Sequence, residues 1–286
     1  MIAALFPGEG SEYPGMSELI SGYGSEQIDA GFDFSKLDSD VLDDRLNAQI
    51  AIYLASTFLW DKFSKHTDFA FLAGHSLGFY SALYAAGVIG RNDGIEIIRN
   101  AFSAIKEVSS EMRGGMTAII GLKWYIIDEI CRELDDVYVA NINSATQVVV
   151  SGILDSLEKI ERKSLDEGAL KVERLNIMAP LHSPLMEGID EIMHERLRAI
   201  DLRNPVLPVV NHINPGILSN TGGIRKVLCN QLKDRVLWRD TVLFMHGRGV
   251  RRFMEVGPSD VLSRLVRWIV RDAGIQSSME VLDVQS

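Results

Sequence analysis

The chain has 286 residues, 47% hydrophobic and 24% charged, enough to build one large domain or a domain with a smaller one attached. Its formal net charge of −10 argues against nucleic-acid partners, and no run of about 20 apolar residues exists to span a membrane. Two cysteines, Cys131 and Cys229, are too few for a disulfide framework, which points to a reducing, cytoplasmic setting.

Ile2 to Phe6 reads as a short buried strand cut off by Pro7-Gly8; with no basic leader and no long apolar stretch, it reads as no signal peptide. Gly8 and Gly10 in the loop that follows leave backbone N–H groups free for an anion or oxyanion, although most Pro-Gly loops are only turns. Ser25 to Asp44 is polar, acidic and aperiodic, and reads as loop and short helix. Leu46 to Phe63 is apolar at helical spacing (Ile50, Tyr53, Leu54, Phe58, Leu59) and reads as a core helix.

Next comes an apolar strand, Phe69 to Ala73, then Gly74-His75-Ser76-Leu77-Gly78, then a helical stretch, Phe79 to Ala86. Strand, G-x-S-x-G turn and helix together form the context of a nucleophile elbow, which lifts the Ser76 hydroxyl clear of the backbone. The plainer reading is a glycine-rich turn in which Ser76 caps the helix. A further helix is read over Gly94 to Met112.

From Met116 the texture changes. Strand Met116–Gly121, helix Tyr125–Leu134, strands Val137–Ala140 and Gln147–Val150, helix Leu154–Glu167 and strand Lys171–Leu175 follow in turn. That β-α-β-β-α-β order is the ferredoxin-like pattern. The segment 113–180 reads as a small domain inserted into a larger α/β domain made of 1–112 and 181–286. In the outer segments we read a helix up to about Ile200, an edge strand Val206–Val210 containing Pro208, a helix Arg225–Leu232, a strand Arg252–Val256 and a last helix Val261–Asp272. Alternating strands and helices there imply a mostly parallel sheet covered on both faces, an α/β fold.

A serine needs a base. Of six histidines, His75 lies inside the elbow, pointing away from the serine. His182 follows the small domain in a Pro-bounded loop where a cleft would form, and is the candidate base; it also reads as a loop histidine bonded to backbone. His194 reads as surface, and His66, His212 and His246 have no special context. No histidine and carboxylate pair has metal-ligand spacing such as H-E-x-x-H, so no metal is expected. Arg225 to Gly274 carries eleven Lys/Arg against five acids. That is a candidate basic face for an acidic partner, or a set of solvated helix faces.

Five stretches, in order, resemble the malonyl-CoA:acyl-carrier-protein transacylases, a family that includes discrete acyltransferases serving polyketide synthases. They are Phe6-Pro7-Gly8-Glu9-Gly10-Ser11-Glu12, the elbow Gly74 to Leu83, Asn141-Ile142-Asn143-Ser144 with Gln147 to Gly152, Pro180-Leu181-His182-Ser183-Pro184-Leu185-Met186, and Glu255-Val256-Gly257-Pro258. The resemblance implies an α/β-hydrolase-like domain with the ferredoxin-like insert, an acyl ester on Ser76, and His182 as its base. It implies an oxyanion hole from the backbone N–H groups of Leu77 and Glu9, and a backbone carbonyl at Gln231, within Asn230-Gln231-Leu232, orienting His182. Gly8, His75, Phe79, Ala101 and Asn143 fall at substrate-binding positions. It implies an acyl carrier protein partner and coenzyme A or phosphopantetheine thioesters as substrates, with no cofactor.

The chain also departs from the family. Malonyl-transferring members carry an arginine for the malonyl carboxylate where this chain has Ala101; Phe79 replaces an acid and Glu9 a glutamine. An unpaired carboxylate in an apolar pocket is costly. The expectation is therefore transfer of a non-carboxylated acyl group. The alternative is an acyl-carrier-protein hydrolase that clears stalled chains. A non-catalytic carrier-binding module, or a plain esterase, fits the intact Ser76 and His182 and the insert less well.

Overall fold

The computed structural model describes residues 1–13, 16 and 44–281; the polar stretch before Asp44 lies outside the described residues. The described chain runs β1 (Ile2–Phe6), α1 (Arg45–Phe63), β2 (Phe69–Gly74), α2 (Gly78–Ala85), α3 (Arg91–Val108), β3 (Gly114–Ile120), α4 (Trp124–Arg132), β4 (Val137–Ile142) and β5 (Gln147–Ile153). It continues with α5 (Leu154–Asp166), β6 (Lys171–Arg174), α6 (Ile189–Arg196), β7 (Val209–Val210), β8 (Ile217–Leu218), α7 (Thr221–Asn230), α8 (Trp238–Gly247), β9 (Arg252–Glu255), α9 (Val261–Asp272) and β10 (Ser278–Val281).

Side chains alternate across a strand, and the first sheet uses both of its faces. In β1, Ala4 and Phe6 join one core cluster, shared with α1, α2, α3, α6 and α7, while Ala3 and Leu5 join a second, shared with α8 and α9. In β2, Leu72 faces the first cluster and Phe71 and Ala73 the second. The strand order is β10-β9-β1-β2-β7-β8, with parallel pairing except β7 with β8. The result is an α/β fold around a mixed, mostly parallel sheet. Asp44 starts α1, its carboxylate accepting from the N–H groups of Leu46 (3.1 Å) and Asn47 (3.3 Å).

The second sheet has order β4-β5-β3-β6 and every neighbouring pair is antiparallel. One face packs on α4 and α5 through residues such as Ile119, Ile127, Val139, Val150 and Ile160. The other face presents Met116, Ala118 and Val149 to the first core cluster and to a cavity between the two sheets. β4 is tied to the segment that leads into α8: Ile142 N–H donates to Val236 O (2.9 Å) and Val236 N–H to Ala140 O (2.8 Å).

Several readings change in detail. The strand expected over Val206–Val210 is only Val209–Val210, and it is not an edge, because β2 flanks it on one side and β8 on the other. Pro208 precedes it and still contributes its carbonyl, accepting from Leu72 N–H at 2.9 Å. The helix expected to run to Ile200 ends at Arg196 and tightens into a 3₁₀ turn, Leu197–Ala199. Helix α3 covers Arg91–Val108 rather than Gly94–Met112. Helix α7 starts at Thr221 and ends at Asn230, and α8, β8 and β10 were not anticipated.

Candidate active site

β2 and α2 are joined by a three-residue turn, and its central residue, Ser76, adopts φ 51°. Only Asp136 and His182 share positive φ among the described non-glycine residues. Backbone held in this region costs on the order of 1–3 kcal/mol and persists where surroundings enforce it. The glycines of the motif do not themselves adopt positive φ. A Cβ on Gly74 would lie 2.1 Å from Gly78 O, and one on Gly78 would lie 2.0 Å from Phe6 O. They are required for close approach rather than for turning freedom. A Cβ on Gly8 would meet His75 O at 2.6 Å, so the loop after β1 is pressed against the elbow. His75 N–H donating to Phe6 O (3.0 Å) fixes that contact.

His182 is 3% exposed, and its own N–H donates to Leu232 O at 2.7 Å. Its Nε2 lies 2.9 Å from Ser76 Oγ. Its Nδ1 lies 2.6 Å from Gln231 O and 3.1 Å from Asp234 O. A carbonyl only accepts, so Nδ1 carries the proton and Nε2 presents a lone pair to the serine hydroxyl. Burial pushes the His182 pKa below its usual value, against the pull of the two carbonyls and of the Glu9 carboxylate. The imidazole is therefore neutral at neutral pH, as a base must be.

The loop carrying those carbonyls is anchored on both sides. Arg235 Nε donates to Val139 O (2.8 Å), and its Nη2 pairs with Asp128 Oδ1 (2.9 Å). Lys233, 16% exposed, pairs with Asp190 at 2.8 Å.

Ser76 and His182 open into a cavity of about 180 Å³. Gly8, Glu9, His75 and Asn143 line it with them, and its apolar wall comes from Met116, Ala118, Val149, Leu175, Ile177 and the first turn of α9. His75 shares the cavity with Ser76, but its Nε2 donates to Asn143 Oδ1 at 2.9 Å, bridging elbow and second sheet. Its ring meets Trp238 edge-on at 5.3 Å, and burial pushes its pKa down to about 4. The N–H groups of Leu77 and Glu9 make no backbone hydrogen bond among the described residues. Phe79 and Ala101 lie in the buried core rather than in the cavity wall.

Two features escaped the sequence. His212, completely buried, packs its ring 5.0 Å from Phe79, and neither ring nitrogen has a hydrogen-bond partner among the described residues. Its place just past β7 could have flagged it, since that strand ends beside the elbow strand. Glu9 is held by Arg45 and Gln49 of α1. No sequence signal links residues this far apart. Part of the basic segment after Arg225 is paired within the chain: Arg225 donates to the carbonyls of Leu197 and Ile200, Arg251 to those of His246 and Val250, and Arg239 and Arg264 pair with Asp240 and Asp260, while Arg251, Arg264, Arg267 and Arg271 stay exposed. Cys131 and Cys229 are buried thiols. Among the described residues no cluster of three His, Cys, Asp or Glu could hold a metal, and no helix is long and apolar enough to cross a membrane.

Residues 43–282 match the acyl transferase domain model. The malonyl CoA-acyl carrier protein transacylase of Bacillus subtilis is 31% identical across 94% of this chain and 90% of its own length. That of Salmonella typhimurium is 33% identical across 94% and 92%. A malonyl-transacylase solved in complex with a type II polyketide synthase acyl-carrier protein superposes with a TM-score of 0.91 at 30% identity, over 98% of this chain and 95% of that one. The transacylase structure from Coxiella burnetii gives 0.90 at 27% identity, over 98% and 93%. With a serine elbow and its histidine in hydrogen-bond contact, and with matches running nearly end to end, the chain belongs to the acyl transferase family, among the malonyl-CoA:acyl-carrier-protein transacylases.

Proposed function

We propose that this protein transfers a non-carboxylated acyl group from a thioester of coenzyme A or phosphopantetheine to an acyl carrier protein, through an ester on Ser76. The observation that carries it is the hydrogen-bonded chain Ser76 Oγ, His182 Nε2, His182 Nδ1, Gln231 O. The carrier protein as acceptor is supported by the relatives' names, which are those of carrier-protein transacylases.

His182 Nε2 takes the Ser76 proton as Oγ attacks the thioester carbonyl. The oxyanion is met by the N–H groups of Leu77 and Glu9 and by the N-terminus of α2, where preorganised donors are worth about 3–4 kcal/mol each. Collapse breaks the C–S bond, and the imidazolium returns its proton to the leaving thiolate. In the second half His182 takes the proton of the carrier thiol, the thiolate attacks the Ser76 ester, and Oγ regains the proton. Only acid–base and nucleophilic steps are required, so no cofactor enters. Gly8 brings the loop against the elbow, and His75 and Asn143 form the polar side of the acyl cavity.

Phe79 and Ala101 lie in the buried core and do not line that cavity. Ala101 contributes no charge where malonyl-specific relatives are expected to hold a carboxylate, which supports a neutral acyl group. We further read the segment 113–180 as a ferredoxin-like insert between the two halves, 1–112 and 181–286, of an α/β-hydrolase-like domain. The antiparallel order β4-β5-β3-β6 and the β-α-β-β-α-β sequence support that division.

The test is acyl transfer from acetyl- and malonyl-coenzyme A to a holo acyl carrier protein, with acyl-carrier product and free acid both quantified. Acetyl-carrier product exceeding free acid supports the proposal. Free acid as the main product in the presence of carrier thiol makes the protein a hydrolase. Malonyl transfer as fast as acetyl transfer refutes the neutral-acyl reading.

A further inference from the structure

Glu9 stands out in the cavity wall. Of the described residues lining it, Glu9 alone carries a formal charge, and no Lys or Arg is among them. Its Oε1 accepts from Arg45 Nη2 at 2.6 Å and from Gln49 Nε2 at 2.9 Å, both on the first turns of α1. Arg45 itself does not line the acyl cavity. It lines a neighbouring cavity, and Glu9, Leu175 and Ile177 form the wall between the two. Both side chains of the ion pair are 25% exposed, so the pair is largely shielded from water. The Arg45 guanidinium is therefore committed to a carboxylate that stands between it and a ligand in the acyl cavity.

We propose that the Glu9–Arg45 pair sets the acyl specificity, closing the cavity to acyl groups that end in a carboxylate and leaving it to neutral ones; this rests on Ser76 being the acylated residue. An acyl carboxylate entering the cavity meets one fixed anion and no cation. Arg45, 2.6 Å from Glu9 and on the side of the neighbouring cavity, offsets part of that anion's field, and the like-charge repulsion that remains in a partly water-excluded site is expected to discriminate by about tenfold. The field of Glu9 is felt at the reacting centre, since the same carboxylate pulls the His182 imidazole toward its charged form. Neutral acyl groups face apolar side chains and pay no such penalty. The pair also supports the loop whose Glu9 N–H meets the oxyanion, so one residue serves specificity through its side chain and the reaction through its backbone.

The experiment is a competition. The protein is exposed briefly to equimolar acetyl- and malonyl-coenzyme A, and the two Ser76 adducts are measured by intact mass for the unaltered protein, Glu9→Gln, Glu9→Asp and Arg45→Met. The proposal expects the malonyl-to-acetyl ratio to rise about tenfold in Glu9→Gln, where an amide replaces the anion and Arg45 is released. It expects the ratio to stay low in Glu9→Asp, which keeps the charge, and to fall further in Arg45→Met, which leaves the carboxylate unpaired. An unchanged ratio in Glu9→Gln with both adducts forming overturns it. If Glu9→Gln loads neither group, Arg45→Met decides: a rising ratio there overturns the proposal. Absence of any adduct on the unaltered protein sinks the acyl-enzyme reading itself, an outcome distinct from the others.

Discussion

Glu255 links the stability of the site to pH. It is completely buried at the end of β9, and its two oxygens accept from the first turn of α9: Oε1 from Leu262 N–H at 3.0 Å and Oε2 from Ser263 N–H at 2.7 Å. That turn carries Val261 and Leu262, which line the acyl cavity. Burial pushes the carboxyl pKa up from 4.5 to about 7, although the two N–H donors pull it down. The folded protein then keeps its proton up to about pH 7, while the unfolded chain loses it near 4.5. Between those values the folded state binds more protons, so stability falls as pH rises. The contribution is fully present below the unfolded pKa and is lost as pH passes the folded one. At about 1.4 kcal/mol per pH unit, the gap corresponds to roughly 3 kcal/mol as an upper bound. Urea denaturation at closely spaced pH values from 4.5 to 8, for the unaltered protein and Glu255→Gln, measures it. The Gln variant also loses an acceptor, which shifts its stability by a pH-independent amount, so the readout is the difference in pH slope. The unaltered protein should lose stability relative to Glu255→Gln as pH rises to 7. A difference that is flat, or that grows in favour of Glu255 with pH, would show that the helix N-terminus outweighs burial and keeps the carboxylate ionised.

Three further outcomes are expected. His182→Ala should slow Ser76 acylation by about 10²–10⁴-fold, the usual contribution of a positioned base, and in the unaltered protein acylation should rise with pH only below the ordinary histidine range and be flat above it, because burial holds His182 low; stopped-flow acylation across pH checks both. Asn143→Ala leaves the His75 Nε2–H without its acceptor, a loss of about 1–3 kcal/mol for a buried donor, visible as a lower denaturation midpoint and a raised KM for the acyl donor. Gly78→Ala places a methyl 2.0 Å from Phe6 O and must separate the elbow from β1, so acylation should fall at least tenfold even where circular dichroism shows the fold retained.

Much of this was legible because local pattern and tertiary role agree. β1 and α9 have the bounds their sequences imply, since an apolar run closed by Pro7-Gly8 and an amphipathic stretch after Gly257-Pro258 leave little choice. Helix α8 was not legible: its first position follows Leu237, which offers no capping side chain, and Leu243 and Phe244 blur the stripe formed by Trp238, Val242 and Met245. β7 and β8 have two residues each, too short for any period, and exist because β2 offers a template. At the site, Ser76 and His182 announce themselves through the turn and the Pro-bounded loop. The Glu9–Arg45 pair and the His212 ring under Phe79 do not, because each joins residues brought together only by the sheet.

The central claim is that the acyl group resides on Ser76 before it reaches the carrier. The direct measurement is peptide mapping by mass spectrometry after millisecond quenching with acetyl-coenzyme A, followed by a chase with holo acyl carrier protein. The account predicts an acetyl mass on the peptide containing Ser76, absent in Ser76→Ala, that disappears as acetyl-carrier appears at the same rate. Acetyl-carrier formation by Ser76→Ala at an undiminished rate, or an acetyl mass confined to another residue, would contradict it.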